Sequence, residues 1–156
     1  MKISEMSSQE CRDLLARMGF GRLACSYREQ PYIVPIYFTS SDKRLYAFAT
    51  MGQKIEWMRS NPLVCLEVDD VQSRYQWESV VVQGRYEELP NTPEYAKSRE
   101  QAQALLEKRS MWWQTGLAAA KTRRHFKEQV PVFFSIDISQ ATGLRASPDP
   151  APAYIG

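Results

Sequence analysis

The chain has 156 residues, of which 44% are hydrophobic and 12% aromatic, and this apolar content is enough for one domain with a genuine core. It therefore excludes a disordered protein. Because 20 basic and 18 acidic side chains leave a formal net charge of only +2, the sequence offers no broad positive field for nucleic acid or an anionic membrane, and we expect a small-molecule partner.

The first predicted element is an amphipathic helix. Ser7 and Glu10 form a Ser-x-x-Glu capping box, in which each side chain accepts a hydrogen bond from the backbone N–H of the other residue. Apolar residues then recur at helical spacing as far as Met18. The pattern predicts a helix over 8–18 that ends at Gly19.

Three predicted strands follow this helix. The runs GFGRLACSYR (19–28) and PYIVPIYFTS (31–40) are rich in β-branched and aromatic residues and flank a short polar stretch, which predicts a hairpin. RLYAFAT (44–50) continues the meander. Pro35 lies inside the second run, where it cannot donate to a strand ladder, so we expect a bulge or a sheet edge there.

A short helix is predicted over 52–60, and its first turn has an unusual composition. Thr50 and Gln53 stand in the Thr-x-x-Gln form of the capping box. Lys54 places a cation at the positive end of the helix dipole, which is unfavourable unless an anion lies nearby. Free N–H groups, the close approach that Gly52 allows and the Lys54 charge would together bind a phosphate. A capped helix with an exposed lysine is the simpler alternative.

Three further strands bring the predicted total to six. LVCLEVDD (63–70) alternates apolar and polar residues, and WESVVVQGRYEEL (77–89) is a long strand with a bend expected at Gly84. VPVFFSIDISQATGL (130–144) is the sixth. Many strands joined by short turns predict a mainly β fold, a small antiparallel barrel, instead of a parallel βαβ sheet.

Two helices and a tail complete the predicted elements. Thr92 and Pro93 are an N-cap and N1 pair that opens the first of these helices. Its apolar side carries Tyr95, Ala102, Leu105 and Leu106. A second helical stretch covers roughly 111–127. We expect one domain over 1–146 and a proline-rich tail over 147–156 that is poorly ordered or lies over a neighbour.

The cysteines and the N-terminus bear on the cellular compartment. Cys11, Cys25 and Cys65 show the spacing of neither a disulfide framework nor a zinc site, and other metal-ligand spacings are also missing. The N-terminus lacks the apolar run of a signal peptide, and no stretch has the length of a membrane span. We therefore expect a cytoplasmic protein with buried thiols and with neither a metal site nor a membrane partner.

Three segments carry a resemblance to a known family. VPIYF, GQKIEWMRSNPLVCLEVDD and SVVVQGRYEEL resemble, in order and spacing, the pyridoxamine 5′-phosphate oxidase-like, FMN-binding split-barrel superfamily. The resemblance covers residues 6–146 and is closest to the branch of flavin-nucleotide-binding and nitroimidazole-resistance-type proteins. It implies a six-stranded split β-barrel of Greek-key type with peripheral helices, and FMN bound at the interface of a homodimer.

The residues that the resemblance assigns to FMN fall into three groups, one at the phosphate, one along the isoalloxazine ring and one that completes the site. The phosphate group consists of Thr50, Gln53 and Lys54. The backbone of Pro35, Ile36 and Tyr37 lies along the ring, and Ser79 and Val80 complete the site. Gly52 joins the first group for the steric reason given above. A proline that interrupts a strand supports the ring assignment, because it leaves backbone groups free to bind the polar edge of a flavin.

The family resemblance implies redox activity, but not the oxidase activity for which the family is named. It implies a flavin-dependent oxidoreductase that passes hydride or electrons from a reduced nicotinamide or deazaflavin donor to a small acceptor. Pyridoxamine 5′-phosphate oxidase activity itself is not expected, because ATGLRASPDPAPAYIG lacks the C-terminal Arg- and His-containing segment that contacts this substrate in the family. The alternative is a non-catalytic flavin- or haem-binding module, and the catalytic residues stay unassigned.

Three further residues keep two interpretations each. His125, the single histidine, lies in a basic helical end, where it is either solvated and favoured by the helix dipole or a haem ligand. Trp112 and Trp113 are either core residues or a cover over the flavin.

Overall fold

The computed structural model describes residues 1–108 and 131–151, which form a seven-stranded antiparallel sheet and three α-helices. The strands are β1 (Lys2–Glu5), β2 (Phe20–Tyr27), β3 (Gln30–Ser41), β4 (Arg44–Thr50), β5 (Leu63–Ser73), β6 (Gln76–Glu88) and β7 (Pro131–Ser147). The helices are α1 (Ser8–Met18), α2 (Gln53–Ser60) and α3 (Ala96–Glu107), the last preceded by a 3-10 turn at Pro93–Tyr95. The predicted helix over 111–127 lies outside the described residues.

The sheet closes into a barrel because β7 pairs on both of its edges. The strand order is β1-β7-β4-β3-β2-β5-β6, and β6 also pairs with β7, so β2 to β7 form a closed ring. The ladder between β6 and β7 runs from Trp77–Ala146 to Glu88–Phe134. The predicted mainly β, split-barrel-like fold is confirmed.

The predicted number of strands is wrong by one, because β1 was not among them. All four residues of β1 are exposed, so no apolar alternation marks a strand. Lys2–Glu5 become a strand by pairing with Leu144–Ser147 of β7, at the other end of the described chain. A contact so distant in sequence leaves no local pattern.

The prediction for α1 is confirmed at both ends. The Ser7 hydroxyl accepts from the Glu10 N–H at 3.2 Å, and the Glu10 carboxylate accepts from the Ser7 N–H at 2.7 Å. Gly19 ends the helix in the left-handed conformation, with φ of 66°, which favours glycine. Local capping signals therefore determine this helix.

The two expected irregularities of the strands are also present. Pro35 pairs with Arg22 of β2 on one side, and the β3–β4 ladder does not reach it, so it lies at a sheet edge within the described residues. The register between β6 and β7 shifts between Gln83 and Gly84. A Cβ atom on Gly84 would lie 2.6 Å from the Asp137 carbonyl oxygen, so the glycine permits this close approach.

Two apolar clusters hold the fold together. The barrel interior is filled by strand side chains and by the inner faces of α1 and α2. Its fully buried members include Leu14, Leu15, Leu23, Phe38, Ile55, Met58, Leu66 and Phe134. The second cluster lies beneath α3 and comprises Tyr46, Leu89, Ala102, Leu106 and Phe133. The predicted apolar side of α3 is confirmed, and α2 is anchored to the barrel by one face only.

One ladder of the ring ends early and is continued by a side chain. β2 pairs with β5 only from Arg22–Glu67 to Ala24–Cys65. Beyond that point the Asn61 amide donates to the carbonyl and hydroxyl oxygens of Ser26, at 3.1 Å each, and its oxygen accepts from the Leu63 N–H at 3.3 Å. Asn61 therefore joins the end of α2 to two strands that have separated.

Candidate functional site

The barrel has an opening between β3 and β4. Their ladder runs from Ser41–Arg44 only as far as Phe38–Ala47. If the same register continued, Tyr37 would face Phe48 and Pro35 would face Thr50. In the part of the chain that the structure describes, the ladder stops at that pair, and the edge of β3 at Pro35–Tyr37 that faces β4 is not paired with that strand.

Helix α2 begins directly beside this opening, but not with the predicted cap. β4 continues through Thr50, which pairs with Pro131, so α2 starts at Gln53 and Gly52 is the N-cap. No side chain caps α2, and the predicted Thr50–Gln53 capping box is therefore wrong. The strand pairing of Thr50 overrode its local capping preference. The first backbone N–H groups of α2 are therefore not capped by a side chain, which is the general condition under which a helix start can accept an anion.

Lys54 lies in that first turn, as predicted, and it is half-buried. Burial raises the pKa of the Cys25 thiol above its ordinary value, and the positive charge of Lys54 opposes that rise. The ammonium group is therefore close enough to act electrostatically on β2. An anion at the start of α2 would meet both this charge and the helix dipole.

The remaining residues predicted around the opening differ in exposure. Gln53 is exposed, whereas Thr50 and Gly52 are half-buried. On β3 the Ile36 side chain is buried and belongs to the core, while Tyr37 is 50% exposed and packs on Phe20 with ring centroids 4.8 Å apart. In chain position, Pro35–Tyr37 follow the end of the β3–β4 ladder on one strand, and Thr50, Gly52, Gln53 and Lys54 follow it on the other.

Ser79 and Val80 lie elsewhere in the same chain. They belong to β6, which is separated from β3 by β2 and β5. Three strand spacings correspond to roughly 14 Å along the sheet. The Ser79 hydroxyl donates to the Glu67 carboxylate at 3.2 Å, and Val80 is fully buried. A single chain therefore places Ser79 and Val80 three strands away from Pro35–Tyr37 of β3.

The outer sheet face around Ser79 holds charged residues that the sequence analysis missed. Arg22 of β2 forms ion pairs with Glu67 at 3.4 Å and with Asp69 at 2.9 Å, both on β5. The spacing of Glu67 and Asp69, two residues apart on a strand, could have indicated this shared face. Within this face, Ser79 is part of a polar group and not an isolated hydroxyl.

Apolar side chains surround this polar group on the same face. By strand register they share the outer side of β3, β2, β6 and β7. They are Ile33 (63% exposed), Tyr37 (50%), Leu144 (46%), Val81 (39%) and Phe20 (38%). A groove of about 500 Å³ runs beside Ser79, between Trp77 and Thr142. The face combines apolar area with a few polar groups, as ligand sites and protein interfaces do.

Three residues with two interpretations each belong to the part of the chain after α3. His125, Trp112 and Trp113 lie outside the described residues. Within residues 1–108 and 131–151, no group of three or more His, Cys, Asp or Glu side chains could hold a metal ion. In the same ranges, no helix is long and apolar enough to cross a membrane.

Comparison with known proteins places most of the chain in one group. The family model described as pyridoxamine 5′-phosphate oxidase matches residues 7–145. An uncharacterised protein of Rhizobium meliloti (strain 1021) is 42% identical over 146 residues, which cover 94% of this chain and 97% of that protein. These matches span nearly every described element.

Solved structures give the same result. A crystal structure of an FAD-binding protein from Mesorhizobium loti is 42% identical and superposes with a TM-score of 0.76, covering 95% of this chain and 99% of that one. A protein from Bacteroides thetaiotaomicron, described as a candidate 5-nitroimidazole antibiotic resistance protein, is 15% identical with a TM-score of 0.65. That likeness covers 93% of this chain and 89% of the other and concerns the fold alone.

Proposed function

The chain belongs to the pyridoxamine 5′-phosphate oxidase family, and from that premise we propose that it binds a flavin nucleotide in the opening between β3 and β4. The observation that carries this proposal is the early end of the β3–β4 ladder at Phe38–Ala47, directly beside an uncapped helix start with a lysine in its first turn. The 42% identical FAD-binding protein supports it.

The residues around the opening fit the FMN portion of a flavin. Thr50, Gln53 and Lys54 offer a hydroxyl, an amide and a charge to a phosphate, and Gly52 leaves room for it to approach the backbone. The unpaired backbone edge of β3 at Pro35–Tyr37 offers donors and acceptors to the polar edge of a ring. Each part of FMN thus has a chemically matched partner.

We propose that the protein is an oxidoreductase. A bound flavin supplies hydride and electron transfer between a reduced nicotinamide or deazaflavin donor and a small acceptor. The role of the chain is to hold the phosphate at α2, orient the ring along β3 and exclude water from its face. Oxidation of pyridoxamine 5′-phosphate is not part of the proposal.

The proposed site also requires a homodimer. Ser79 and Val80 lie about three strand spacings from β3 in their own chain, and a second copy would bring them to a flavin held at the opening. The exposed apolar side chains around Ser79, among them Ile33 and Val81, offer an apolar face for that contact. One dimer would then contain two equivalent flavin sites.

Flavin titration of purified protein tests the binding site. Lys54→Ala should weaken flavin binding by about 1.5–3 kcal/mol, the scale of a charge-assisted hydrogen bond, or roughly 10- to 150-fold in Kd. Lys43→Ala removes an exposed lysine from the β3–β4 turn and is the matched control, with no expected change. Equal affinities of the two variants would refute the phosphate assignment.

Anaerobic addition of NADH or NADPH tests the activity. A yellow preparation whose flavin absorbance bleaches, and returns when an acceptor is added, is expected of an oxidoreductase. Bound flavin that neither these donors nor a reduced deazaflavin bleaches would instead identify a non-catalytic flavin module.

Sedimentation tests the dimer. Val81→Lys places a charge in the proposed interface and should yield monomers with weakened flavin binding. Tyr75→Lys introduces the same charge at an exposed tyrosine in the β5–β6 turn (51% against 39% for Val81) and should leave the oligomeric state and flavin binding unchanged. A monomeric wild-type protein that still binds flavin would exclude the shared site.

A further inference from the structure

A cavity of about 270 Å³ lies between α3, the end of β6 and the start of β7. We call it the α3 cavity. Its apolar lining includes Leu89, Val132 and Phe133, all of which are buried. Met51 also lines it, so the cavity adjoins the start of α2. Among the described residues that line it, none belongs to the proposed flavin site, and the cavity is therefore a separate feature of the barrel.

Two charged side chains at the α3 cavity neutralise each other. The Arg59 guanidinium donates to both carboxylate oxygens of Glu88, at 2.7 and 2.6 Å, and the Tyr86 hydroxyl donates to the same carboxylate at 3.1 Å. The hydrogen bond from Arg59 holds the pKa of Glu88 below its ordinary value, so the carboxylate stays ionised at neutral pH. This bidentate pair carries no net charge and leaves little attraction for an ionic ligand.

Arg99 of α3 also lines the cavity, and its charge is not neutralised in this way. Its guanidinium lies over the Phe133 ring at 4.5 Å from the ring centroid, and one of its nitrogens donates to the Leu89 carbonyl oxygen at 2.9 Å. Both contacts hold the guanidinium in place, but neither partner carries a negative charge. In the part of the chain that the structure describes, Arg99 forms no ion pair with a carboxylate. A half-buried cation without a counter-ion favours an anionic ligand.

The chemistry and size of the α3 cavity restrict the ligand further. The planar guanidinium of Arg99 has more N–H donors than its contact with Leu89 uses, and such a fork matches the two oxygens of a carboxylate. The buried lining beside it is apolar, which favours an apolar body on the ligand. Its volume is slightly below the range of roughly 300–1,000 Å³ that is typical of pockets for drug-sized ligands. The cavity therefore suits a small molecule.

We propose that the α3 cavity binds a small monocarboxylic acid with an apolar body, and that Arg99 binds its carboxylate group. A single carboxylate is expected, because the neutral Arg59–Glu88 pair offers no charge to a second one. Leu89 and Val132 would contact the apolar body. The inference goes beyond the proposed function and does not depend on it, since the binding of this ligand involves no flavin.

Calorimetric titration of the purified protein with benzoate tests the site, and benzamide, an uncharged compound of similar shape, is the control ligand. The wild type should bind benzoate at least roughly tenfold more tightly than benzamide, the difference between a charge-assisted and a neutral hydrogen bond. Arg99→Gln should abolish this preference. Arg99→Lys keeps the charge without the planar fork and should keep part of the preference. Absence of benzoate binding, or equal binding of both compounds by the wild type, would overturn the inference.

Two further variants separate the cavity from general charge attraction and from an effect on folding. Lys97→Gln removes an exposed cation from the same helix, outside the lining of the cavity, and should leave the preference unchanged. An equal loss with Lys97→Gln and Arg99→Gln would contradict the role of Arg99. Asn91→Trp places a large ring at an exposed position of the lining and should weaken the binding of both compounds. Because this variant retains Arg99, unchanged benzoate binding would exclude the cavity as the site.

Competition with FMN separates this inference from the proposed function. Saturating FMN should leave the affinity for benzoate unchanged. If FMN displaces benzoate, Arg99 belongs to the flavin site and the separate carboxylate site is overturned, while flavin binding stands. If the protein binds benzoate as expected but no flavin, the proposed function fails and the carboxylate site holds.

Discussion

The seam formed by β5, β6 and β7 and the opening between β3 and β4 differ in how completely they are paired. In the seam, β6 has a partner strand on each edge along most of its length. At the opening, the β3–β4 ladder stops at Phe38–Ala47 and leaves two edges apart. The barrel is therefore complete on one side and open on the other.

Charge is distributed differently in the two regions as well. Across the seam, Arg145 pairs with Glu10 at 2.7 Å and with Glu78 at 2.6 Å, and Arg17 pairs with Glu78 at 3.0 Å and with Asp70. These residues tie α1 to three strands. At the opening, Lys54 stands beside a helix start that no side chain caps. Paired strands and ion pairs thus stabilise the barrel along the seam, whereas at the opening the wall between β3 and β4 is held by a much shorter ladder.

The largest effect that would test this contrast is expected in the seam. Gly84→Ala places a Cβ atom 2.6 Å from a backbone oxygen of β7, which cannot move without breaking the ladder. We expect the free energy of unfolding to fall by about 3 kcal/mol, measured by urea denaturation. Gln83→Ala, at the exposed neighbouring position, is the control and should change it little. If the two variants were equally stable, the backbones of β6 and β7 would be able to shift and accept the added methyl group.

A smaller loss of stability is expected at the junction of α2 with the barrel. Asn61→Ala removes two donated hydrogen bonds to Ser26 and one accepted from Leu63. The free energy of unfolding should fall by about 1–2 kcal/mol, measured in the same way. Asn61→Asp keeps the acceptor for Leu63 but places a carboxylate oxygen against the Ser26 carbonyl oxygen, so it should lose at least as much stability as Asn61→Ala. If Asn61→Asp were as stable as the wild type, the assigned donation to Ser26 would be wrong.

Acid should weaken the seam before the core is affected. The Ser7 backbone and Arg145 hold the pKa of Glu10 below its usual 4.5, and Arg17 holds that of Asp70 below its usual 3.8. A lowered pKa in the folded state means that the unfolded chain binds protons first, so these groups stabilise the fold above their ordinary pKa and less as the pH falls below it.

The urea midpoint measured from neutral pH down to about pH 3 should therefore decline below pH 4.5. Arg145→Gln should make that decline shallower, because it removes a partner of Glu10. An unchanged slope would show that the Ser7 contact alone sets the pKa of Glu10.

The smallest effect is a gain in stability near the opening. Glu29 has φ of 65° in the two-residue turn between β2 and β3, a conformation that favours glycine. Glu29→Gly should raise the free energy of unfolding by about 0.5 kcal/mol. This net gain is the strain relieved in the left-handed conformation minus the larger conformational entropy that a glycine loses on folding. Glu29→Ala removes the same carboxylate without relieving the strain, so it serves as the control. If Glu29→Ala also raised the free energy of unfolding, the gain would come from removal of the carboxylate charge and not from relief of backbone strain.

Much of the fold was predictable because its signals are local. The bounds of α1, the lysine in the first turn of α2, the edge at Pro35 and the irregularity at Gly84 all follow from neighbouring residues. The Thr50 cap failed because pairing with Pro131 keeps Thr50 in β4. The sequence analysis missed the ion pairs of Arg22 with Glu67 and Asp69. Their shared face depends on the register between β2 and β5, which are far apart in sequence.

The sequence by itself determined the barrel class, the positions of most elements and the residue types of a phosphate site, since alternation, caps and breakers act over a few residues. Only the tertiary structure decided where each ladder ends, which side of the barrel stays open, and that Ser79 and Val80 lie three strands away from Pro35–Tyr37 of β3. The physical reason is that the barrel is a closed ring. Pairing among β2 to β7 fixes the distances between strands that are far apart in sequence, and no local sequence pattern encodes those distances.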